Sequence, residues 1–194
     1  DDDQKLNLGG EEREVTVLFS DIRGFTAMSE KMKPKEVVST LNSYFSEMID
    51  IIFKYDGTLD KIVGDELMVV FGAPISRDDD AERAVKTAIG MVESLKKFNK
   101  KRMEKGKVPI NAGIGINKGK VISGNIGSKD QMDYTVIGDT VNLGARLCSF
   151  AGPLKIIISK SVKGEIGGDF KTRKLEAIKV KGKRKPVEIF KVLT

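Results

Sequence analysis

The chain has 194 residues, of which 40% are hydrophobic and 32% charged, so it is long enough to form one domain with a substantial core. It contains no histidine and a single cysteine, Cys148, which excludes histidine-based zinc sites, Ser-His-Asp catalysis and an internal disulfide. The net charge is +6, but aromatic residues make up only 6% and are not interspersed among the basic ones, so we expect no nucleic acid partner.

In the first half of the chain, the sequence pattern predicts one long helix with a strand before it and a hairpin after it. Residues 1–10 are polar and acidic and end in Gly-Gly, so we interpret them as a tail or linker remnant and place the domain at 11–194. A strand is predicted at about 14–20, and apolar residues at helical spacing predict an amphipathic helix over 34–55. The Gly64-Asp65 pair then lies between two apolar runs, which is typical of a hairpin.

The second half predicts another long helix and more strands. Three aspartates, Asp78 to Asp80, begin the helix and place negative charge at its N-terminus. Two strands, near 108–116 and 120–125, are expected on either side of a turn at Asn117-Lys118-Gly119. The remaining predicted elements are a strand at 132–137, a short helix at about 140–149, and strands near 155–158, 176–180 and 186–192.

The order strand, helix, strand, strand, helix, strand is the split βαβ arrangement of ferredoxin-like and polymerase-palm folds. We therefore expect an α+β domain in which a βαββαβ sheet carries its helices on one side, with additional strands at the C-terminus. Many functions use this architecture, so the chemistry has to be argued from individual residues.

Asp21 and Asp65 are candidate metal ligands. Asp21 follows an apolar β-branched run, and Asp65 occupies the predicted hairpin turn. If their strands are neighbours, both carboxylates lie at the same end of the sheet, where they suit Mg²⁺, which takes its other ligands from water and substrate phosphates. An ordinary structural explanation is also available, because Asp is common in turns and at helix entries.

Three further polar residues are candidates for substrate binding. Asn142 and Arg146 are four residues apart in the predicted short helix and share one face, where an amide and a guanidinium suit a sugar phosphate. The same spacing also fits a surface helix with a polar face. Lys61 lies four residues before Asp65, and it is either a surface residue covering a sheet edge or a hydrogen-bond donor to a base or phosphate.

Several blocks of the sequence, taken in order, resemble the class III nucleotidyl cyclases, which comprise the adenylyl and guanylyl cyclase catalytic domains. The resemblance covers residues 11–194 and implies conversion of ATP to 3′,5′-cyclic AMP and pyrophosphate. The matching blocks are Phe19-Ser20-Asp21-Ile22-Arg23-Gly24-Phe25-Thr26, Lys61-Ile62-Val63-Gly64-Asp65, residues 134–147, and Val180-Lys181-Gly182-Lys183.

The resemblance implies a metal and phosphate site in the first two blocks. Asp21, Asp65 and the Ile22 carbonyl would bind two Mg²⁺ or Mn²⁺ ions. Backbone groups would hold the triphosphate at Gly24, Phe25 and Thr26.

The resemblance also implies residues for the base, the ribose and the transferring phosphate. Lys61 and Thr135 are similar to the pair that reads the purine, and guanylyl cyclases have Glu and Cys at these positions, so the chain resembles an adenylyl cyclase. Asn142 would orient the ribose, and Arg146 would stabilise charge on the transferring phosphate. Thr135 further resembles the branch that often responds to bicarbonate, which makes bicarbonate stimulation a hypothesis.

A head-to-tail homodimer with two shared sites is a further implication of the resemblance. Asp21 and Asp65 of one subunit would face the base, ribose and phosphate residues of the other. Lys181 would contact the terminal phosphates in that arrangement, and Lys183, two residues later, is the alternative.

Two alternatives to an adenylyl cyclase can be weighed on the sequence. A diguanylate cyclase would carry Gly-Gly-Asp/Glu-Glu-Phe at the hairpin, where this chain has Gly64-Asp65-Glu66-Leu67. The other alternative is a catalytically silent cyclase-like domain that binds nucleotide or serves as a dimerising regulator. We place it behind the enzyme, because each of the candidate metal and substrate positions carries a chemically competent residue.

The expected location is cytoplasmic. No apolar run approaches the length that crosses a bilayer, and no basic segment followed by an apolar stretch opens the sequence. The domain resembles the output module of a longer protein, so we expect regulatory domains N-terminal to it, through which the full-length protein could be attached to a membrane.

Overall fold

Strands and helices are interspersed along the computed structural model, which describes residues 9–128 and 132–194. Within these residues no helix is both long and apolar enough to span a bilayer. The elements are β1 (Gly9–Ile22), α1 (Phe25–Ser29), α2 (Pro34–Lys54), β2 (Thr58–Val63), β3 (Glu66–Phe71), α3 (Asp80–Glu104), β4 (Ala112–Gly127), β5 (Met132–Ile137), α4 (Asp139–Phe150), β6 (Ile156–Ser159), α5 (Lys160–Glu165), β7 (Thr172–Lys174) and β8 (Ile189–Val192).

All the strands belong to one sheet with the order β2-β3-β1-β4-β6-β8-β7, and β5 pairs with β4 outside this path. β1 is central and runs antiparallel to both of its neighbours, β3 and β4. The β1-α2-β2-β3-α3-β4 unit is the βαββαβ arrangement of ferredoxin-like folds, and β6, β7 and β8 extend the sheet beyond it. The predicted fold class is therefore confirmed.

Helices cover both faces of the sheet, so the prediction of helices on one side is wrong. Leu18 and Ile22 of β1 share a buried cluster with residues of α2 and α3, whereas Val17 and Phe19 pack with Val141 of α4. Successive side chains of a strand point to opposite faces, so β1 is buried on both sides. The uninterrupted apolar run of this strand was the signal for two-sided burial.

β4 is one continuous strand of 16 residues, so the turn predicted at Asn117-Lys118-Gly119 is wrong. Asn117 is buried, and its Nδ2 donates to the Thr140 carbonyl at 2.9 Å. A Cβ added at Gly119 would lie 2.7 Å from Thr140 Oγ1. These turn-type residues therefore serve the contact between β4 and α4.

The N-terminal strand begins earlier than predicted. Gly9 and Gly10 pair with Asn125 and Gly124 of β4, so they belong to the sheet and not to the predicted tail. Pairing with the far half of the long β4 strand explains this extension. The rest of the predicted tail, residues 1–8, lies outside the described residues.

The C-terminal strands also differ from the prediction. Residues 176–180, although described, do not form the expected strand, and Ile178 makes only an isolated bridge with Val187. The strand that pairs with β8 lies earlier in the chain, where Thr172 is opposite Val192. β8 itself confirms most of the strand predicted at 186–192.

Candidate active site

Asp21 and Asp65 meet at one end of the sheet. Asp21 is the penultimate residue of β1, and Asp65 lies in the turn between β2 and β3. β1 and β3 are antiparallel neighbours, so the two carboxylates share this edge, as predicted. The Ile22 N–H donates to Asp65 Oδ2 at 3.1 Å, which ties the turn to the end of β1.

Negative charge is concentrated around this pair. Burial, reinforced by the adjacent Asp21 carboxylate, raises the pKa of Asp65 to about 7. Burial and, second, the charge of Asp21 also raise the pKa of Glu66. Arg23 offsets part of this charge, because its Nη2 donates to Asp21 Oδ2 at 2.9 Å. The raised pKa of Asp65 indicates that a further positive charge would stabilise its ionised form.

The donor set fits a divalent cation. Mg²⁺ commonly binds one or two carboxylates and completes its coordination with water and substrate phosphates. Over 9–128 and 132–194 there is no group of three or more acidic or cysteine side chains placed to hold a metal by themselves. A metal ion at Asp21 and Asp65 would therefore take its remaining ligands from water and a bound substrate.

The chain that follows Asp21 turns into the short helix α1. Gly24 has a φ of 70° and precedes the helix, and Phe25 and Thr26 are its first residues. A positive φ of this kind favours glycine. In the described structure no side chain caps this helix start, so its backbone N–H groups are available to an anionic group.

Lys61 and Thr135 come together through Asp60, a residue that the sequence analysis did not single out. Thr135 Oγ1 donates to Asp60 Oδ2 at 2.8 Å, and Lys61 Nζ lies 3.5 Å from the same oxygen. The Asp60 side chain is only 6% exposed. The pairing of β2 with β3 shifts by one residue between Leu59 and Lys61, and such bulges redirect side chains near active sites.

Arg146 and Lys181 line a common cavity of about 580 Å³ beside α4. Arg146 Nη1 donates to the Lys181 carbonyl oxygen. Asn142 lies one turn earlier on the same helix and is exposed. Lys183 forms an ion pair with Asp139. The two lysines that the sequence left as alternatives therefore have different surroundings.

The predicted site residues thus form three groups in one chain. We name them the carboxylate group (Asp21, Ile22 and Asp65, with residues 24–26), the base group (Asp60, Lys61 and Thr135) and the arginine group (Asn142, Arg146 and Lys181). In the part of the chain that is described, no hydrogen bond or ion pair joins one group to another. Large apolar side chains are exposed beside the groups: Ile62, Val63, Tyr134, Ile137 and Phe150.

Comparison with protein families gives one match over almost the whole chain. Residues 10–193 match the adenylate and guanylate cyclase catalytic domain. The chain is 38% identical over 189 residues to the adenylate cyclase of Anabaena cylindrica, in an alignment that covers 93% of the chain and 37% of that relative. The chain therefore spans little more than a third of the length of this relative.

Two solved structures share both the fold and much of the sequence. The adenylyl cyclase CyaB from P. aeruginosa superposes with a TM-score of 0.93 at 39% identity, covering 96% of this chain and 97% of that one. The guanylyl cyclase Cya2 superposes with a TM-score of 0.89 at 41% identity, covering 95% and 94% of the two chains. Overall similarity is nearly equal to both proteins, so it does not decide which base this chain prefers.

Proposed function

Because the chain belongs to the adenylate and guanylate cyclase catalytic domain family, we propose that it converts ATP to 3′,5′-cyclic AMP and pyrophosphate. The ribose 3′ oxygen bonds to the α-phosphorus, the bond from that phosphorus to the oxygen of the leaving pyrophosphate breaks, and the hydroxyl proton is released. The observation that carries the choice of ATP is the hydrogen bond from Thr135 to Asp60.

The polarity of this hydrogen bond suits adenine. Thr135 gives its single hydroxyl proton to Asp60 at 2.8 Å, so towards a base its oxygen can only accept. The adenine amino group at N6 donates, whereas guanine has the acceptor O6 at that position. Lys61 has the complementary preference, because an ammonium group donates and never accepts, and adenine N1 is an acceptor while guanine N1 carries a hydrogen.

Asp21 and Asp65, with the Ile22 carbonyl, would hold the divalent ions, which we propose are two Mg²⁺ or Mn²⁺ ions per site. Such ions, when bound, activate the attacking hydroxyl and neutralise the charge of the leaving pyrophosphate. The position of both carboxylates at one sheet edge and the raised pKa of Asp65 support this assignment, because a nearby cation would stabilise the ionised form of each.

The remaining site residues bind and orient the nucleotide. Backbone N–H groups at 24–26 are suited to the triphosphate, and Asn142 would orient the ribose. Arg146 would stabilise the charge that builds up on the α-phosphate, and its loss should lower kcat on the order of 10²-fold, as for other positioned donors. Lys181 is the better candidate for the terminal phosphates, because Lys183 is engaged in an ion pair.

We propose that the complete site forms between two chains arranged head to tail. Among the described residues of one chain no hydrogen bond or ion pair joins the three groups, which supports an arrangement in which a second copy places its base group and arginine group opposite the carboxylate group. Exposed apolar residues beside these groups, such as Tyr134 and Ile137, which are 49% and 48% exposed, would be buried in that interface. Two equivalent sites per homodimer follow from the symmetry.

Product chromatography after incubation with Mn²⁺ and either ATP or GTP tests the proposed reaction. We expect cyclic AMP from ATP and little cyclic GMP from GTP. Cyclic GMP as the main product would contradict the assigned base preference. Absence of a cyclic product from both nucleotides would favour the second candidate, a catalytically silent regulatory domain.

Regulation by bicarbonate and by domains N-terminal to this one is a further hypothesis, suggested by the family resemblance. Thr135 is the residue that motivates the bicarbonate hypothesis. We expect turnover to rise when bicarbonate is added at fixed pH, as measured by cyclic AMP formation. Unchanged turnover would contradict this hypothesis and leave the proposed reaction untouched.

A further inference from the structure

A cavity of about 640 Å³ lies between α1, the start of α2 and the loop that follows α3. None of its lining residues belongs to the carboxylate, base or arginine groups. Its volume falls in the range of about 300–1,000 Å³ that is usual for small-molecule sites. The apolar part of its wall consists of Ala27, Met28, Met32 and Val108.

Arg102 also lines this cavity and is a largely buried cation. The residue is 9% exposed. Its Nε donates to the Val108 carbonyl at 2.9 Å, and its guanidinium carbon lies 5.7 Å from the centre of the Phe98 ring. In the described ranges no acidic side chain pairs with this guanidinium, and burial lowers its pKa. Its terminal N–H groups are left for a ligand.

Thr40 adds a second buried polar group to the cavity wall. The residue is 7% exposed, and its hydroxyl has no hydrogen-bond partner among the described residues. Among the described residues the one fully enclosed side-chain polar atom without a partner is Thr16 Oγ1, so the polar groups of Thr40 and Arg102 are open to the cavity. A ligand that accepts hydrogen bonds from Arg102 and Thr40 would replace water there.

The charges at the rim favour an anion. Lys31, Lys35 and Lys107 line the cavity and are exposed. Glu36 is the single acidic residue in the described lining, and its carboxylate accepts the Lys33 N–H at 3.0 Å, where it caps α2. Together with the buried guanidinium, four cations face one carboxylate that is already engaged.

We propose that this cavity binds a medium-chain carboxylate, with its head group at Arg102 and Thr40 and its alkyl tail along Met28 and Met32. Methionine side chains are flexible and polarizable, so they adapt to a tail of variable shape. Inorganic phosphate would satisfy the cations and leave the apolar wall uncovered. A neutral alcohol would cover the wall and leave the buried guanidinium unpaired.

Calorimetric titration of the 194-residue chain with decanoate tests this site, with decanol and inorganic phosphate as comparison ligands. We expect saturable one-to-one binding of decanoate that weakens with added salt. Decanol should bind at least about tenfold more weakly, because a hydrogen bond to a charged group commonly contributes that much. Phosphate should also bind at least about tenfold more weakly, because it buries none of the apolar wall. Absence of decanoate binding, or equally tight binding of either comparison ligand, would overturn the proposal.

Charge variants at the rim locate the binding site. Lys107→Glu should weaken decanoate binding roughly threefold to tenfold. Lys100→Glu makes the same change at an exposed position of α3 that lines neither this cavity nor the adjoining one to which Arg102 and Lys107 also belong, and it should have little effect. Glu36→Gln keeps the helix-capping acceptor and removes the opposing charge, so it should strengthen binding, whereas Glu30→Gln should not. Equal effects within either pair would place the ligand elsewhere.

Arg102→Met tests the head-group contact directly and should reduce affinity at least about tenfold. This variant removes a buried hydrogen bond and can lose its fold, so thermal denaturation is measured with it. Ala27→Trp is the second test, because Ala27 is exposed and a large ring there fills the cavity from its mouth. A folded Ala27→Trp protein that binds decanoate with unchanged affinity would contradict the proposal.

Discussion

Asp60 sets the hydrogen-bond polarity of the base group by accepting the Thr135 proton. Replacing Asp60 with alanine leaves that hydroxyl free to donate, and it can then bind guanine O6. We expect Asp60→Ala to lower kcat/KM for ATP about tenfold or more, since a hydrogen bond to a charged group contributes about 1.5–3 kcal/mol. The preference for ATP over GTP should fall as well. Steady-state kinetics with both nucleotides measure the two effects.

The matched control for this substitution is Asp50→Ala. Asp50 is exposed on α2 and, among the described residues, makes no hydrogen bond or ion pair with the base group, so its replacement should leave both specificity constants unchanged. A merely structural role for Asp60 would lower the melting temperature and reduce activity with the two nucleotides in equal proportion. An unchanged ATP-to-GTP ratio in Asp60→Ala would therefore refute the proposed role.

Cys148 gives the domain a sensitivity to alkaline pH. The thiol is buried and donates to the Gly113 carbonyl at 3.3 Å, and burial raises its pKa to about 12. The folded-state pKa lies above that of the unfolded chain, about 8.5. The stabilisation is thus fully present below about pH 8.5 and is lost as the pH rises towards 12, with a slope of up to about 1.4 kcal/mol per pH unit.

Urea unfolding at several pH values measures this dependence. Between about pH 8.5 and 12, the free energy of unfolding should fall more steeply for the wild-type protein than for Cys148→Ala. Tyr44, whose pKa is raised mainly by burial and in smaller part by Cys148, is present in both proteins, so the part of its contribution that is due to burial cancels between the two slopes. Identical slopes would show that Cys148 titrates alike in the folded and unfolded chains.

At the scale of elements, the packing of α4 on β4 depends on Gly115. A Cβ at this position would lie 2.1 Å from the Cys148 backbone nitrogen and 2.6 Å from the Leu147 carbonyl carbon. Because these atoms are helix backbone, the helix must move as a unit to admit a methyl group. We expect Gly115→Ala to lower the free energy of unfolding by about 3 kcal/mol, the upper part of the usual range for overpacking, as measured by urea denaturation.

Gly164→Ala provides the control for that substitution. Gly164 lies in α5, and a Cβ there meets nothing within 4 Å. Alanine is favoured over glycine inside a helix by up to about 1 kcal/mol, so this variant should be as stable as the wild-type protein or slightly more stable. If Gly115→Ala left the free energy of unfolding equally unchanged, that result would contradict the close approach of α4 to β4 at this position.

Local sequence signals predicted the elements whose propensities and burial agree. α2 was predictable because Pro34 and the apolar stripe indicate the same helix, and the hairpin was predictable because Gly64-Asp65 suits its turn. The Asn117-Lys118-Gly119 segment misled because tertiary packing selected those residues. Gly119 leaves room for the Thr140 side chain, and Asn117 donates to the Thr140 carbonyl. Neither requirement produces a local sequence pattern.

The residues of the candidate site were likewise predictable only where local sequence signals determine their position. The meeting of Asp21 and Asp65 followed from the position of each on its strand, because neighbouring strands bring their ends together. Asp60 could not be found in this way. Its orientation depends on a bulge in β2, and its partner Thr135 lies 75 residues later in the chain. The one local hint was a pair of opposite charges within an apolar strand.

At the scale of the whole molecule, the proposed head-to-tail site predicts that activity requires two chains. Asp65→Ala removes one proposed metal ligand of the carboxylate group, and Arg146→Ala removes the guanidinium of the arginine group. Each variant alone should therefore be inactive. Mixed together, they should recover about a quarter of the wild-type activity, because random exchange makes half of the dimers mixed and each mixed dimer keeps one of its two sites intact. Cyclic AMP formation against total protein concentration measures the recovery.

The control mixture combines Asp65→Ala with Asp21→Ala. Both substitutions lie in the carboxylate group, so every site in a mixed dimer lacks one of the two aspartates and no activity should return. Recovery in this control would mean that the aspartates act from different subunits. Failure of the first mixture, with both variants folded and dimeric by sedimentation, would mean that each chain builds its site alone. The exposed apolar residues beside the base group would then need a different partner, because a surface of that kind is rarely left uncovered.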